Sequence, residues 1–188
     1  ILAAGQSTRM GETKQLLPAG DNTLLGLVIT EALNSKATKT YCVLGSKLGT
    51  IQKSIEQYPV EVIVNKDYLL GLSSSINKGV DYLKSKDFDT ILIMLADQPK
   101  INTQYLNYLI EEHQKQPNKI IASSYDGFFG VPAIFPKRYF RKLLTLKGDK
   151  GAKDFLNSSK TDVFGAVSVQ LTDIDTKQDY KDYLNSIK

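Results

Sequence analysis

The chain has 188 residues, of which 41% are hydrophobic, and its formal net charge at pH 7 is +4. These values suit a globular protein, and no stretch is rich enough in Pro, Gly or Ser to act as a linker, so we expect a single domain over residues 1–188. The lysines are scattered, which gives no reason to expect nucleic-acid binding. No apolar run reaches the ~18 residues of a membrane helix and no signal peptide is visible, so the expectation is a cytoplasmic protein without membrane contact.

The single cysteine and the single histidine exclude two kinds of site. Cys42 cannot form an internal disulfide or a multi-cysteine metal site, and it lies in an apolar run that predicts a buried strand. His113 lies at a polar helix end and is predicted to face solvent. Catalysis by histidine or cysteine is therefore not expected.

Residues 1–14 combine an apolar start with a polar, glycine-containing loop. The start, ending at Leu2, predicts the end of a buried strand, and three residues with small side chains follow it. These residues are Ala3, Ala4 and Gly5. Small side chains let a ligand approach the backbone N–H groups, beside which Arg9 and Lys14 place two positive charges. This combination is suited to holding a triphosphate.

Neither of the common phosphate-binding patterns is present in this loop. A Walker A loop has a hydroxyl residue directly after its lysine, whereas Lys14 is followed by glutamine, and the dinucleotide pattern G-x-G-x-x-G is absent. The residues alone leave two interpretations open, a phosphate loop or a strand-to-loop junction that binds nothing.

Downstream, helical and strand patterns alternate. They predict helices over residues 24–33, around 51–55, 76–83, 105–110 and 138–146, and strands over residues 41–44, 60–64, 90–96 and 120–122. This alternation predicts an α/β fold, a three-layer α/β/α sandwich around a Rossmann-like, mostly parallel sheet. Ligands of such sheets bind beyond the carboxyl ends of the strands, where the first loop, Asn65 and Asp97 all lie.

Asp97 follows the most hydrophobic run of the chain and precedes a proline, so a carboxylate leaves the core where the chain turns. A carboxylate close to a phosphate loop suits Mg²⁺, which prefers carboxylate and phosphate oxygens. The alternative is that Asp97 caps the helix near Thr103 or stabilises a turn. A second carboxylate is available in residues 171–180, after a valine-rich strand.

The segment 65–79 contains Gly71 and three serines before a helix. These residues can present backbone and hydroxyl groups to a nucleobase. Serines at a helix start are more often caps, so both interpretations stay open.

Residues 2–18 read L-A-A-G-x-S-x-R-M-G-x-x-K-x-L-L-P, which closely resembles the signature of the molybdenum cofactor cytidylyltransferases, of the nucleotide-diphospho-sugar transferase fold type. The resemblance continues in Ala-Asp-Gln-Pro at 96–99 and in D-T-x-x-D-Y from Asp175, and it covers nearly the whole chain. It implies catalytic roles for Arg9, Lys14 and Asp97, and a Mg²⁺ or Mn²⁺ site on Asp97 and Asp175. Asp173 alternates with Asp175 and is expected to point to the other face. Asp175 has its own alternative as the N-cap of the last helix.

The resemblance also implies which residues bind the nucleotide, with Gly71 and Ser75 at the base and ribose. The implied set is Leu2, Ala3, Ala4, Gly5, Arg9, Lys14, Gly71, Ser75 and Asp97. In the later half, many members of the family read G-H-P and G-D-x-G-A-R. This chain has Val131 and Lys153 at the histidine and arginine positions, so one contact to the acceptor is lost and another is reduced to a point charge.

The activity that the resemblance implies is transfer of CMP from CTP to a molybdopterin-type cofactor, with release of pyrophosphate. The N-terminal half would bind the nucleotide and the C-terminal half the acceptor, and a molybdenum hydroxylase or its maturation chaperone is a candidate partner.

Three alternatives remain: a guanylyltransferase, a sugar- or polyol-phosphate nucleotidyltransferase, and a non-catalytic nucleotide-binding protein. Guanylyltransferases typically have L-A-G-G, and the methyl group of Ala4 favours a pyrimidine. The joint presence of Lys14, Asp97 and Asp175 argues against a protein without turnover.

Overall fold

The computed structural model describes residues 1–125, 127–158, 162–166 and 172–187. The strands are β1 (Pro18–Ala19), β2 (Asn22–Thr23), β3 (Tyr41–Leu44), β4 (Glu61–Val64), β5 (Thr90–Ile93), β6 (Ile120–Tyr125), β7 (Phe128–Pro136) and β8 (Val163–Ala166). The α-helices are α1 (Leu24–Leu33), α2 (Leu48–Ser54), α3 (Leu72–Leu83), α4 (Thr103–Lys115), α5 (Phe140–Leu143), α6 (Lys153–Ser158) and α7 (Lys177–Ser186). Short 3-10 helices cover Lys14–Leu16, Tyr68–Leu70 and Lys137–Tyr139.

The chain start lies in the middle of the sheet. Leu2 pairs in parallel with Val43 on one side and with Leu95, just after β5, on the other. Next to β3 lies the parallel strand β4, and beyond β5 the order continues through β7 and β6 to β8. β7 runs antiparallel to both β5 and β6, whereas β6 and β8 are parallel. The sheet is therefore mostly parallel, as predicted.

Alternate residues of the strands enter different hydrophobic clusters, which shows that helices cover both faces of the sheet. Tyr41 and Val43 pack in a cluster with residues of α3, α5 and α6. Cys42 and Leu44 pack in another with residues of α1 and α2, and on this same face the apolar residues of α4 lie against β6 and β7. Because strand side chains alternate between faces, the fold is a three-layer α/β/α sandwich. This confirms the predicted fold class.

One predicted helix needs correction, and one strand was not predicted. The helix predicted over residues 138–146 is shorter, since a 3-10 turn over Lys137–Tyr139 leads into α5, which ends at Leu143. The long strand β7 was not predicted at all, because Pro132 lies within it and proline cannot donate to a strand ladder. Ala122 pairs with Ala133 and the next residue, Ser123, pairs with Gly130, so the pairing skips Val131 and Pro132. The proline therefore lies in an irregularity of the ladder.

The single cysteine behaves as predicted and the single histidine does not. Cys42 is fully buried. His113 is partly buried rather than solvent-facing, and burial lowers the pKa of its imidazole.

Of the valine-rich strand predicted before residue 171, β8 is present, whereas residues 167–171 lie outside the described part of the chain. Within the described ranges, no helix has the length and hydrophobicity that crossing a lipid bilayer requires.

Helix α7 closes the end of the sheet that carries the first loop. Met10, in that loop, is 1% exposed and packs in a cluster with Ile174 and Tyr183. The Tyr180 hydroxyl also donates to the carbonyl of Pro18 at 2.7 Å. These contacts attach the last described segment to the first loop.

Two phenylalanines of β7 give a stability test with a built-in control. Phe135 is fully buried and stacks on Phe155 of α6, whereas Phe128, in the same strand, is 56% exposed. Phe135→Ala should lower the free energy of unfolding by about 3–5 kcal/mol, because it removes a buried ring and leaves a cavity. Phe128→Ala should change it by about 0.5 kcal/mol or less. Urea denaturation measures both, and equal losses would contradict the assigned core.

Candidate active site

The first loop has a defined conformation that its own hydrogen bonds close. Ser7 has a φ of 57° and Gly11 a φ of 77°, both in the left-handed region. The amides of Met10 and Gly11 both donate to the Ser7 carbonyl at 3.1 Å, which closes the tip of the loop. The amide of Lys14 donates to the Ser7 hydroxyl at 3.2 Å, so Ser7 joins the loop to the 3-10 helix that carries Lys14.

Lys14 lies between the two carboxylates that the sequence analysis assigned to a metal. Its Nζ donates to Asp97 Oδ2 at 2.5 Å and to Asp175 Oδ1 at 3.1 Å. A third hydrogen bond, at 3.2 Å, goes to the carbonyl of Ile174. The side chains of Lys14 and Asp97 are only 15% and 16% exposed, so this is a largely buried ionic contact. Three segments that are distant in sequence thus meet at the carboxyl edge of the sheet.

The charge of Lys14 is fixed by these neighbours. Burial by itself lowers the pKa of the ammonium, but the attraction and hydrogen bonds of Asp97, and then of Asp175, outweigh it. The pKa of Lys14 is therefore raised, and the side chain carries its positive charge throughout the neutral range. A permanent cation with little freedom to move is well suited to stabilising charge that develops on a bound phosphate.

Arg9 stands at the outer rim of the same cluster. A terminal nitrogen of its guanidinium lies 2.9 Å from Asp175 Oδ2, and its side chain is 69% exposed. Solvent screens such a pair, so it adds little to stability. Because the guanidinium is exposed, it is available to a ligand in a way that the buried Lys14 ammonium is not.

Hydrogen bonds at the start of α7 hold Asp175 in place. Thr176 is the N-cap of this helix and forms a capping box with Asp179, whose carboxylate also accepts from the amide of Asp175. The alternative that Asp175 itself caps the helix is wrong. Its side chain is left to face Lys14 and Arg9.

Asp97 does not cap a helix either. The N-cap of α4 is Asn102, whose side chain accepts from the amide of Tyr105. The backbone carbonyl of Asp97 accepts from the amide of Ile174 at 2.9 Å, which sets the two acidic segments side by side. Its Oδ2 bonds Lys14, whereas its Oδ1 is buried without a hydrogen-bond partner in the described part of the chain. A buried carboxylate oxygen without a donor is suited to a cation.

The residues fit a divalent cation that is completed by a substrate. Among the residues described, no group of three or more His, Cys, Asp or Glu side chains could hold a metal by itself. Asp97 and Asp175 supply carboxylate oxygens on two sides of Lys14. Magnesium commonly binds one or two carboxylates together with phosphate oxygens and water, so a pair of aspartates beside a phosphate loop is sufficient.

The predicted nucleobase segment is held by Asn65, the residue that follows β4. Asn65 is 1% exposed, and its amide nitrogen donates to the hydroxyls of Ser74 and Ser75 at 2.9 Å and 3.0 Å. Ser75 lies inside α3 and is 4% exposed, so it does not cap the helix. Its hydroxyl proton remains available as a donor, because the bond from Asn65 uses only the oxygen.

Gly71 joins the nucleobase segment to the later half of the chain. Its φ is 92°, and a Cβ at this position would lie 2.7 Å from the carbonyl carbon and oxygen of Gly148. The Gly148 carbonyl also accepts from the amide of Ser73 at 3.0 Å. The segment that the resemblance assigns to the base and the one it assigns to the acceptor are therefore in direct contact.

Gln98 connects Val131, in the part of the chain that the resemblance assigns to the acceptor, with the acidic segment that contains Asp173 and Asp175. Gln98 is 3% exposed, and its amide nitrogen lies 2.9 Å from Asp173 Oδ1 and 3.4 Å from the carbonyl of Val131. Asp173 therefore faces Gln98, whereas Asp175 faces the two cations, in agreement with their predicted separation. Desolvation raises the pKa of Asp173, and the nearby carboxylates of Asp97 and Asp175 add to the rise although the Gln98 hydrogen bond opposes it. Lys153 is exposed at the start of α6.

Sequence reasoning missed two buried amides of this site, Gln15 and Gln98. Both are at most 3% exposed. Gln15 follows the polar residues Glu12, Thr13 and Lys14, so no local pattern indicates that its side chain is buried. Of the other residues at the start of the chain that the resemblance assigns to the nucleotide, Leu2, Ala3 and Ala4 are buried and Gly5 is exposed.

Comparisons with known proteins identify the family of the chain. The family model described as the MobA-like NTP transferase domain matches residues 1–163. The purine catabolism protein PucB of Bacillus subtilis (strain 168) is 32% identical to this chain. The alignment is 192 positions long and covers 96% of this chain and 92% of that protein.

Solved structures show the same fold over the full chain. The crystal structure of the Rv0371c homologue from Mycobacterium sp. strain JC1 has a TM-score of 0.87 and 30% identity, covering all (100%) of this chain and 94% of that one. The Rv0371c structure from Mycobacterium tuberculosis H37Rv in complex with manganese has a TM-score of 0.83 and 28% identity. The match covers 98% of this chain and 96% of that one. With this coverage, the chain belongs to the family of MobA-like NTP transferases, which are nucleotidyltransferases.

Proposed function

We propose that this nucleotidyltransferase transfers CMP from CTP to the terminal phosphate of a molybdopterin-type cofactor and releases pyrophosphate. The observation that carries the proposal is the position of Lys14 between Asp97 and Asp175, directly after the first loop. A protein that only binds a nucleotide has little need for two carboxylates, one of them largely buried, opposite a fixed cation. The acceptor and the base are inferred from the resemblance to the cytidylyltransferases.

The proposed reaction is a single in-line displacement. A phosphate oxygen of the acceptor attacks the α-phosphorus of CTP, the bond from that phosphorus to the bridging oxygen breaks, and the electron pair leaves with pyrophosphate. A phosphate nucleophile is already ionised at neutral pH, so the reaction needs no general base. When bound at Asp97 and Asp175, Mg²⁺ or Mn²⁺ would neutralise charge on the phosphate oxygens. The manganese in the structure of the Mycobacterium tuberculosis relative supports a divalent ion.

The two cations have different proposed roles because their surroundings differ. Lys14 is held by three hydrogen bonds, to Asp97, Asp175 and the carbonyl of Ile174. Its fixed charge would stabilise the negative charge that builds on the leaving pyrophosphate. Arg9 is exposed, so it would contact the triphosphate before reaction and contribute to binding the ground state.

We also propose that residues 1–188 act as one domain, with the nucleotide bound mainly by the first half and the acceptor by the second. One hydrophobic cluster contains both Leu2 and Val163, and β5 of the first half pairs with β7 of the second. A molybdenum hydroxylase or its maturation chaperone is the proposed recipient of the product.

The base preference can be tested directly. A Cβ added to Gly45 would lie 3.0 Å from the Ala4 methyl and 2.7 Å from the Cβ of Tyr68, so Ala4, Gly45 and Tyr68 are closely packed. CTP with magnesium should therefore bind more tightly than GTP. Calorimetric titration with both nucleotides measures this, and equal or tighter binding of GTP would overturn the pyrimidine assignment while leaving the family intact.

The metal role of Asp97 predicts a large kinetic effect without loss of the fold. Asp97→Asn keeps the side-chain shape but removes the charge that the metal requires, so turnover should fall by more than about 100-fold. Asp182→Asn, on the exposed side of α7, is the matched control and should turn over normally. Steady-state kinetics and thermal melting measure the two properties. If Asp97→Asn melts and turns over like the wild type, the metal site is misplaced.

Lys14 and Arg9 can be separated by kinetics. Lys14→Met should lower kcat by about 10²–10³-fold, because the lost cation acts on charge present only in the transition state. Arg9→Met should mainly raise the KM for CTP and spare kcat, as expected for a group that binds ground state and transition state alike. Rates over a range of CTP concentrations decide between these outcomes. A raised KM with unchanged kcat for Lys14→Met would make Lys14 a simple phosphate anchor.

A further inference from the structure

Gln15 is a polar side chain buried beneath the first loop, and every hydrogen-bonding atom of its amide faces that loop. The residue is 2% exposed. Its Nε2 donates to the carbonyl of Ala3 at 3.1 Å and to the carbonyl of Gly5 at 3.0 Å. Its Oε1 accepts from the Ser7 hydroxyl at 3.3 Å. Both amide protons and the amide oxygen are therefore used on three backbone or side-chain groups of one short segment.

These contacts determine the direction of the loop amides. In a planar trans peptide, the carbonyl of one residue and the N–H of the next point in opposite directions. Because Gln15 holds the carbonyls of Ala3 and Gly5 on its own side, the N–H groups of Ala4 and Gln6 point away from it. Among the described residues, neither of these N–H groups donates to a backbone acceptor. Gln6 is exposed, so its N–H is the kind of outward-facing donor that binds an anion, whereas Ala4 is only 3% exposed.

The same side chain connects the loop to the catalytic lysine. Gln15 follows Lys14 in the 3-10 helix, and the Ser7 hydroxyl that donates to Gln15 also accepts from the Lys14 amide. Ser7 holds a left-handed φ of 57°, which a residue other than glycine keeps only when its surroundings fix it. Gln15 and Ser7 thus set the distance between the loop amides and the Lys14 backbone.

We propose that Gln15 is a positioning residue that presents the amide of Gln6 to the triphosphate of the substrate. This inference rests on the proposed function, because it assigns a task in binding the nucleotide. Gln15 does not touch the ligand itself, and its effect is specific for the phosphates. A substitution should weaken binding of a nucleoside triphosphate and leave binding of the corresponding monophosphate, which depends on the base and ribose, nearly unchanged.

The test compares CTP and CMP, each with magnesium, by calorimetry on Gln15→Met. Methionine keeps the length and fills the buried space, but it supplies no amide. The CTP affinity should fall by about tenfold or more, as expected for losing hydrogen bonds that orient donors to a charged group, and the CMP affinity should stay within about twofold. The ratio of the two affinities is the readout, because a general loss of folding would lower both.

Two further variants keep the test decisive. Asn157→Leu removes an amide that makes three comparable hydrogen bonds, to Phe129 and Lys153, away from the first loop. It should lower the melting temperature without changing the affinity ratio. If Gln15→Met does not fold, Ser7→Gly removes the hydroxyl link while tolerating the left-handed φ, and it should reduce the ratio in the same direction.

The outcomes separate this inference from the proposed function. If the wild type binds CTP and Gln15→Met or Ser7→Gly retains its ratio of CTP to CMP affinity, the positioning role is wrong and the transferase proposal stands. If the wild type binds neither CTP nor GTP, the proposed function fails and this inference fails with it.

Discussion

The site depends on one ionic contact, the Lys14 ammonium held between the carboxylates of Asp97 and Asp175. Its members are separated by 83 and 161 residues in sequence, so the contact exists only when the sheet and the last helix are both in place. A largely buried charge needs partners, and removing one of them leaves an uncompensated charge. The central position of the first strand and the packing of α7 on the first loop are what bring these charges together.

Because of this contact, positive and negative side chains lie next to each other in the candidate site. Asp97 has one oxygen on Lys14 and another that no described group satisfies. A cation bound there would lie beside Lys14, and two adjacent positive charges would make a strong site for a triphosphate. Beyond this centre, Gly71 touches Gly148, and Gln98 links Val131 to Asp173. Gly71 and Gly148, and likewise Gln98, Val131 and Asp173, are therefore in direct contact although they are distant in sequence.

Local patterns were enough to predict the elements that build the carboxyl edge of the sheet. The runs at residues 24–33 and 41–44 match α1 and β3, because helix and buried-strand spacing are strong when one face or both faces are apolar. The positions of Asn65 and Asp97 could be predicted because the carboxyl ends of parallel strands meet at the same edge of a sheet. β7 was not predicted because its proline lies in an irregularity of the pairing with β6. The residue pattern of one strand does not indicate such an irregularity, and a proline argues against a strand. The partners of Gln15 and Lys14 were also beyond sequence reasoning, since they depend on loop conformation and on contacts distant in sequence.

The central claim is that these residues transfer CMP to a molybdopterin-type phosphate. The most direct measurement incubates the protein and magnesium with molybdopterin and CTP labelled at the α-phosphate, and follows the label and the released pyrophosphate. The account predicts that the label moves to the pterin, with one pyrophosphate formed for each cytidylyl group transferred. Transfer of the label from GTP but not from CTP, or no transfer from either nucleotide, would contradict it.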